Sequence, residues 1–285
     1  MDAHQARRPL TPQTGLGSRL GLGTHALHRL FSGAARQHLL RLAYDCGIRH
    51  FDTAPSYGAG LAEREIGRFA AGKRSTLVLT TKFGIAPGRL AAVLPGSAYL
   101  AAAWRAGRRM LRLGRPGAGV PARDYSAAAM QKSVEGSLRR LRTDHIDVLY
   151  LHAPTRDSLG SPEALLQALE ALRQAGKVRR VGLSGSALEC AAIARSHPGL
   201  AEILQIELAA DSLGLPDVTS LPAATAVGLW EFPGSSAGSP AMSLLPHFER
   251  LRQALPTGMI LLSTPQQHAI RQAGDFFARE LGTPG

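Results

Sequence analysis

Short apolar runs alternate with longer amphipathic segments along nearly the whole chain. The apolar runs have the length of buried strands, about four to eight residues, and the amphipathic segments repeat apolar positions at helical spacing. The predicted strands are 19–23, 48–53, 76–82, 146–152, 178–184, 203–208, 225–230 and 259–263. The predicted helices are 34–46, 61–71, 126–142, 162–175, 187–196, 241–254 and 265–281. The segment 214–222, after the sixth strand, is too weak and too bounded by proline to be a full helix.

Eight strand–helix units follow one another without a linker or a low-complexity tail. This order favours a closed parallel barrel over an open sheet. The sequence therefore predicts an α/β fold, a single (β/α)8 TIM barrel that occupies residues 1–285. In such a barrel the chemistry lies at the carboxyl ends of the strands.

One connection is far longer than the others. The segment 83–125, between strand 3 and helix 3, has 43 residues, where such loops usually have about two to six. It carries seven arginines and one acidic residue, and within it 98–116 can form an amphipathic helix with an arginine face. Three interpretations stay open: a lid over the site, an interfacial helix against an anionic membrane or a partner, and a solvated decoration.

Composition narrows the functional classes. The chain has 285 residues, 45% of them hydrophobic, and a net charge of +12 from 33 basic and 21 acidic residues. Nearly all of the basic residues are arginines, and no zinc-finger or RNP-type motif is present, so nucleic-acid binding is not expected. Cys46 and Cys190 lie far apart, the start of the chain lacks a secretory signal, and no apolar stretch is long enough for a membrane span. We therefore expect a cytoplasmic protein.

Four polar residues follow the ends of strands two, three and four. They are Asp52 and Tyr57 in HFDTAPSYG, Lys82 in LVLTTKFG and His152 in DVLYLHAP. Taken singly, each is more typical of a turn, a packed surface ring, a solvated lysine or a structural histidine. Because the ends of neighbouring parallel strands meet on one face, the four together indicate a site.

This set suits the reduction of a carbonyl group. A free tyrosine has a pKa of about 10, and a nearby ammonium such as that of Lys82 favours the phenolate and lowers that pKa. Asp52 would hold the ammonium in place, and His152 would polarise the substrate oxygen. Tyr57 would then act as a general acid.

Other cofactor motifs fail in their context. GLGTHA at 21–26 reads as GxGxxA, but no βαβ unit with a suitably spaced acidic strand end follows it. A P-loop, a GxSxG elbow and an HExxH motif are absent from the sequence. We predict no metal site, because the remaining histidines show no ligand spacing and are interpreted as structural or exposed: His4, His25, His28, His38, His50, His145, His197, His247 and His268.

Several segments, spread over nearly the whole chain, carry a resemblance to a known family. The sequence resembles the aldo-keto reductase family in LGLGTHA, GIRHFDTAPSYGAGLAEREIG, LTTKFG, SVEGSLRRLRTDHIDVLYLHAP, GKVRRVGLSGS, LQIEL and STPQQHAIRQAGDFF. The resemblance implies a (β/α)8 barrel that binds NADP(H) or NAD(H) without a Rossmann domain. It also implies that Tyr57 protonates the carbonyl oxygen, that Lys82 and Asp52 tune Tyr57, and that His152 orients the substrate.

The cofactor positions implied by the resemblance match the family less well. They are Gly23, Thr24, Asp52, Ser184, Gln205, Trp230, Ser263, His268, Arg271 and Gln272. Gly185 replaces the asparagine usual beside Ser184, and Trp230 stands where a tyrosine usually stacks on the nicotinamide. His268 and Gln272 replace a common arginine and asparagine, and Arg271 remains as a candidate 2′-phosphate ligand. The segment 230–263 is shorter than in most members, so the preference between NADPH and NADH stays open.

Three functional interpretations follow. The first is an NAD(P)(H)-dependent oxidoreductase acting on an aldehyde, ketone or sugar, and the YGAG run resembles bacterial members that oxidise sugars or reduce small aldehydes. The second is a nucleotide-binding barrel that serves as a non-catalytic regulatory or interaction subunit. The third is a redox enzyme that contacts a membrane surface through 98–116.

Overall fold

Eight parallel strands close into a barrel. The computed structural model describes residues 19–86, 123–207, 225–231, 245–254 and 258–280. Each strand pairs with the next in chain order, and the eighth pairs with the first. The strands are β1 Leu20–Gly23, β2 His50–Asp52, β3 Val78–Phe83, β4 Ile146–His152, β5 Val178–Gly185, β6 Ile203–Glu207, β7 Thr225–Glu231 and β8 Met259–Ser263. All eight predicted strands are confirmed, with β2 two residues shorter at its start and one shorter at its end.

Seven α-helices in the described part of the chain surround the strands. They are α1 Gly33–Asp45, α2 Leu61–Phe69, α3 Ala127–Leu141, α4 Pro162–Gln174, α5 Ala187–Ser196, α6 Leu245–Ala254 and α7 Gln267–Glu280. Serine side chains accept hydrogen bonds from backbone N–H groups at the starts of α1, α3 and α4, which satisfies donors that a helix start leaves free. The predicted helix 241–254 is described from Leu245 onward, and 214–222 lies outside the described residues.

The strands separate two apolar layers. Val148, Tyr150, Ile203, Met259 and Leu261 form a cluster inside the barrel. A larger cluster fills the space between the strands and the helices. Side chains of a strand alternate between these layers, so polar residues that share a face with the inner cluster lie in the barrel interior.

The register of β2, β3 and β4 brings the predicted polar residues into the interior. Lys82 pairs with Tyr150 of the inner cluster, and Asp52 pairs with Thr80, two residues before Lys82. Phe51 instead faces outward, where its ring contacts Phe69 of α2 at a centroid distance of 5.2 Å. Strand alternation therefore places Asp52 and Lys82 on the inner face.

The two ends of the predicted insertion meet beside the barrel. Ile85 and Arg123 form an antiparallel bridge, and Asp124 N donates to Gly84 O at 2.9 Å. Gly84 has φ +103°, and a Cβ there would lie 2.1 Å from the ring of Tyr125, so only glycine fits. The rest of the segment, including the amphipathic stretch 98–116, lies outside the described residues. Among the described helices, none has both the length and the apolarity needed to cross a membrane.

Candidate active site

A buried ion pair lies at the base of the site. Lys82 Nζ donates to Asp52 Oδ2, and both residues are 1% exposed. Lys82 Nζ also donates to Thr53 O at 3.2 Å, and Thr80 Oγ1 donates to Asp52 Oδ1 at 2.8 Å. Burial lowers the pKa of Lys82, while the charge and hydrogen bond of Asp52 oppose that shift. Asp52 therefore holds the ammonium in place and supports its charge.

Tyr57 lies above this pair on the loop between β2 and α2. Lys82 Nζ is 5.4 Å from the centroid of the Tyr57 ring. Directly after Tyr57, Gly58, Ala59 and Gly60 have φ values of +56°, +55° and +78°. These left-handed residues turn the chain sharply into α2, which leaves the partly exposed tyrosine at the mouth of the barrel.

His152 faces Tyr57 from the end of β4. The two ring centroids are 5.9 Å apart with an interplanar angle of 84°. Burial is the main cause that lowers the pKa of His152 to about 3, and the charge of Lys82 adds to the shift. The imidazole is consequently neutral at physiological pH. Its Nδ1 is buried without a hydrogen-bond partner.

Tyr125 fixes the backbone of His152 from behind. Its hydroxyl donates to His152 O at 2.6 Å, and its ring packs on Phe83 with centroids 6.2 Å apart. Burial raises the pKa of Tyr125 to about 12, so this hydroxyl keeps its proton and remains a donor. Sequence analysis missed Tyr125, because its position depends on the close approach to Gly84.

His25 is a second residue that sequence analysis missed. Its ring lies edge-on to Tyr57 with centroids 5.0 Å apart, on a 3-10 helix, His25–Arg29, that directly follows β1. Its interpretation as structural or exposed rested on the lack of metal-ligand spacing and could not anticipate this contact. The signal available in the sequence was its place two residues after a predicted strand, on the catalytic face.

Polar groups that fit a carboxamide continue around the barrel from His152. Ser184 pairs with His152 across β4 and β5, and Gln205 pairs with Ser184 across β5 and β6. Gln205 is 1% exposed, and neither its amide nitrogen nor its amide oxygen has a partner. A buried amide costs free energy when it is left unpaired. A nicotinamide carboxamide, which carries an NH2 donor group and a carbonyl acceptor, would satisfy both atoms, and Ser184 offers a third contact.

Gly23, Thr24 and Ser263 close the ring of predicted cofactor residues. Thr24 donates to Asp52 O through its backbone N at 2.9 Å and through Oγ1 at 2.8 Å, so it supports the strand that carries Asp52. A Cβ at Gly23 would lie 3.1 Å from Ser263 Cβ. Ser263 Oγ is buried without a partner, which leaves it available to a ligand at the end of β8.

Gly185, where the family resemblance leads one to expect an asparagine, packs against a left-handed turn. Ala153, directly after His152, has φ +52°, and a Cβ at residue 185 would lie 3.0 Å from Ala153 Cα. Ala153 N also donates to Ser184 O at 2.5 Å. A side chain at 185 would require this turn to shift by a few tenths of an ångström.

The other predicted cofactor residues lie on β7 and α7. The backbone of Trp230 belongs to β7, opposite Leu262, and its side chain lies outside what the structure describes. His268, Arg271 and Gln272 lie in the first turns of α7, His268 and Gln272 half-buried and Arg271 exposed. Burial raises the pKa of Cys46, at the end of α1, and the charge of Arg271 opposes this rise. Their role at an adenosine phosphate stays a prediction.

No group of three or more metal-ligating side chains occurs among residues 19–86, 123–207, 225–231, 245–254 and 258–280. The described site brings together a tyrosine, a lysine, a carboxylate and an imidazole. Such a set can transfer a proton to an oxygen and polarise the same oxygen.

Curated proteins similar to this chain are oxidoreductases. The aldo-keto reductase YhdN of Bacillus subtilis is 31% identical over 178 residues, 60% of this chain and 44% of the relative. D-threo-aldose 1-dehydrogenase of Pseudomonas is 34% identical over 175 residues, 58% of this chain and 49% of the relative. The chain thus spans about half the length of the curated relatives it matches.

Solved structures extend the likeness to nearly the whole fold. An aldo-keto reductase from Klebsiella pneumoniae in complex with NADPH superposes with a TM-score of 0.59 at 23% identity, over 95% of this chain and 93% of the relative. The model of the aldo/keto reductase family matches residues 19–209. This match covers Asp52, Tyr57, Lys82 and His152, and it includes Ser184 and Gln205. The chain therefore belongs to the aldo-keto reductase family, whose members are NAD(P)H-dependent oxidoreductases.

Proposed function

We propose that this chain is an NAD(P)(H)-dependent oxidoreductase that reduces the carbonyl of an aldehyde, ketone or sugar, or oxidises the corresponding alcohol. The observation that carries the proposal is the buried Asp52–Lys82 ion pair beneath Tyr57, with His152 facing the same ring. A buried ion pair of this kind contributes little net stability, because desolvation offsets most of the attraction. Its proposed role is to keep a positive charge next to the Tyr57 hydroxyl.

Tyr57 is the proton donor in this proposal. His152 is neutral near pH 7, because its pKa lies at about 3, so it has no acidic proton to give there. Lys82 uses two of its ammonium hydrogens on Asp52 and Thr53. The third hydrogen is available to the Tyr57 hydroxyl, where it stabilises the phenolate that remains after proton transfer.

His152 positions and polarises the substrate oxygen. A neutral imidazole carries one N–H donor, and its ring lies nearly perpendicular to that of Tyr57 at a centroid distance of 5.9 Å, so an oxygen bound between the two rings would receive a hydrogen bond from each. The Tyr125 hydroxyl donates to His152 O and so fixes the position of the end of β4. When it is bound, the nicotinamide cofactor supplies the hydride.

Ser184 and Gln205 would hold the nicotinamide carboxamide, as the unpartnered amide of Gln205 and its neighbour Ser184 suggest, and Trp230 would stack on the nicotinamide ring. Ser263, His268, Arg271 and Gln272 would hold the adenosine-phosphate end. The preference between NADPH and NADH belongs to this outer part of the site.

The substrate class and the location are parts of the same proposal. D-threo-aldose 1-dehydrogenase is a relative whose name includes a sugar substrate, and this favours sugars and small aldehydes for the first screen. Cys46 and Cys190 form no disulfide in the part of the chain that the structure describes, and a cytoplasmic location is part of the proposal. The comparisons give no support to the non-catalytic alternative.

The first experiment is a fluorescence titration of the purified protein with NADPH and with NADH, with Trp230→Phe as the control for the origin of the quenching. We expect at least one cofactor to bind, and a screen of aldehydes, ketones and sugars with that cofactor follows. If neither cofactor bound, the oxidoreductase proposal would fail and the non-catalytic subunit would become the better description.

Tyr57→Phe tests the mechanism itself. Loss of the hydroxyl removes the proton donor and little volume, so we expect turnover to fall by about 10²–10⁴-fold, the usual contribution of a positioned acid. Cofactor affinity should stay within about twofold, because Tyr57 contacts the reacting oxygen. Near-normal turnover in this variant would exclude Tyr57 as the acid.

A further inference from the structure

We propose that Arg123 forms an anion subsite at the rim of the active site, and that the preferred substrates carry a carboxylate in addition to their reactive carbonyl. This inference rests on the proposed function, because it assigns the substrate class of the same site. Arg123 lies outside the segments that carry the family resemblance. It follows the amphipathic stretch of the long insertion.

The backbone holds Arg123 at the catalytic face. Arg123 forms an antiparallel bridge with Ile85, two residues past the end of β3, and Asp124 N donates to Gly84 O at 2.9 Å. Two residues after Arg123, the Tyr125 hydroxyl donates to His152 O at 2.6 Å. These contacts on both sides of Arg123 hold its backbone against the residues that follow β3 and against the backbone of His152.

The guanidinium of Arg123 has no acidic partner among the residues that the structure describes. The adjacent carboxylate, Asp124, instead accepts a hydrogen bond from Ser126 N at 2.9 Å and caps the start of α3. By contrast, Arg156, another arginine on the same face, lies 3.7 Å from the carboxylate of Glu189. Arg123 is exposed, so a ligand can reach it without breaking an ion pair.

The charges around His152 leave a positive potential. The groups that act on its imidazole are Lys82, Asp52, His25 and Arg123. The charges of Lys82 and Asp52 compensate each other, since the two form an ion pair. Burial is the main cause of the lowered pKa of His152, and the charge of Arg123 adds to that shift, which indicates that the guanidinium lies on the same side of the barrel as the imidazole.

A carboxylate is the group that this arrangement suits. The planar guanidinium donates two parallel hydrogen bonds to the two oxygens of a carboxylate. An anion held there would also be attracted by the field that surrounds His152. The same carbonyl without a carboxylate would lose this contact and gain nothing in its place.

The test compares matched pairs of substrates in wild type and Arg123→Gln. The pairs are 4-oxobutanoate with butanal and D-glucuronate with D-glucose, each with and without a carboxylate. We expect the ratio of kcat/KM for the acid to that for the neutral compound to fall by about tenfold in Arg123→Gln. The neutral compounds should react within about twofold of wild type, and Arg123→Lys should give an intermediate ratio.

Arg195→Gln is the matched control. Arg195 is exposed in the last turn of α5, at the end of the barrel opposite the catalytic face, and its loss changes the net charge equally. An unchanged ratio in Arg123→Gln, or an equal fall in Arg195→Gln, would overturn the subsite.

A calorimetric titration with butanoate gives a readout that needs no turnover. Wild type should bind butanoate at least about fivefold more tightly than Arg123→Gln, and added salt should weaken this difference. If no carbonyl compound reacted at all, the proposed function would fail, while this titration would still decide the subsite. Equal affinity in wild type and Arg123→Gln would refute it.

Discussion

Two buried carboxylates lie at opposite ends of the barrel. Asp147, at the start of β4, accepts from Arg74 Nη2 at 2.7 Å and from Leu79 N at 2.8 Å through Oδ2. Its Oδ1 accepts from Arg179 Nη1 at 2.7 Å. Asp52, at the end of β2, accepts from Lys82 and Thr80.

The two carboxylates differ in the surroundings of their cations. The side chains of Arg74 and Arg179 are 19% and 57% exposed, whereas that of Lys82 is 1% exposed. Toward the carboxyl ends of the strands, polar atoms of Thr53, His152, Gln205 and Ser263 are also buried without partners. The Asp147 end is built for stability, while the Asp52 end retains desolvated charge and open hydrogen-bonding positions for a ligand.

Lys82→Met should impair catalysis at the Asp52 end more than any other substitution considered. We expect turnover to fall by about a thousandfold, equivalent to about 4 kcal/mol of barrier, because the phenolate of Tyr57 loses its stabilising charge. The rising limb of alcohol oxidation should also move to higher pH, since the basic form of Tyr57 becomes harder to reach without the ammonium. The measurement is the pH profile of kcat in the oxidative direction.

Lys132→Met provides the control for this change, because Lys132 is an exposed lysine on α3. It should leave the profile in place. An unshifted profile in Lys82→Met would show that Lys82 does not tune Tyr57.

At the other end of the barrel, Asp147→Asn should affect stability instead. The substitution removes the charge that Arg74 and Arg179 share, and we expect the free energy of unfolding to fall by about 3 kcal/mol. The kcat of the folded fraction should remain at the wild-type value. Urea unfolding measures the first quantity, and steady-state kinetics below the transition measure the second.

Asp144→Asn is the matched variant, since the side chain of Asp144 is 91% exposed and lies three residues away. It should change stability by less than about 0.5 kcal/mol. A loss of turnover in Asp147→Asn without unfolding would mean that the two ends are not functionally separate.

The division of the barrel into a catalytic end around Asp52 and a structural end around Asp147 was only partly predictable from the sequence. Strand alternation and the polar residues after β2, β3 and β4 were sufficient to predict the barrel and the four residues at its mouth. The contacts of Tyr125 with His152 and of His25 with Tyr57 were not predictable in detail, because they depend on tertiary structure. The left-handed Gly84 admits Tyr125, and a 3-10 turn carries His25 to Tyr57.

The cofactor half shows where sequence patterns are insufficient. Ser184 and Gln205 were found through the family motifs, and their strand register places them side by side. Gly185 departs from the expected asparagine, and the structure places it against the left-handed Ala153, which directly follows β4. A single sequence carries no signal for such a contact between residues 32 positions apart.

A smaller effect is expected from His50, which lies beneath Asp52 on the same strand. Burial lowers its pKa to about 4 from an ordinary value of 6.5. As the pH falls, the unfolded chain therefore binds a proton before the folded chain does, and stability present above pH 6.5 is lost down to about pH 4. Between pH 7.5 and 5 the loss due to His50 should be about 2 kcal/mol.

Chemical denaturation at the two pH values measures this loss. His50→Asn should reduce the difference between them, even if its stability at pH 7.5 is lower. His38→Gln, which replaces an exposed histidine of α1, should retain the full wild-type difference. An identical pH dependence in wild type and His50→Asn would contradict the assignment.

Substitutions of two neighbouring threonines of β3 should have smaller effects than the changes above. Thr80 Oγ1 donates to Asp52 Oδ1 at 2.8 Å inside the barrel, and Thr81 Oγ1 donates to Glu63 Oε1 of α2 at 2.9 Å outside it. In Thr80→Val, Asp52 loses a donor worth about 1 kcal/mol, so Lys82 is held less firmly. We expect about a fivefold fall in kcat and a slight shift of the oxidative limb to higher pH.

Thr81→Val makes the same chemical change one residue along the strand, on its outer face. Its lost hydrogen bond leaves Glu63 with Arg140 as its partner, so the cost should fall on the free energy of unfolding and not on the pH profile. The pair of variants therefore separates the two faces of one strand: the inner face tunes the ion pair beneath Tyr57, and the outer face attaches α2. A pH shift in Thr81→Val equal to that in Thr80→Val would show that both act only by loosening β3.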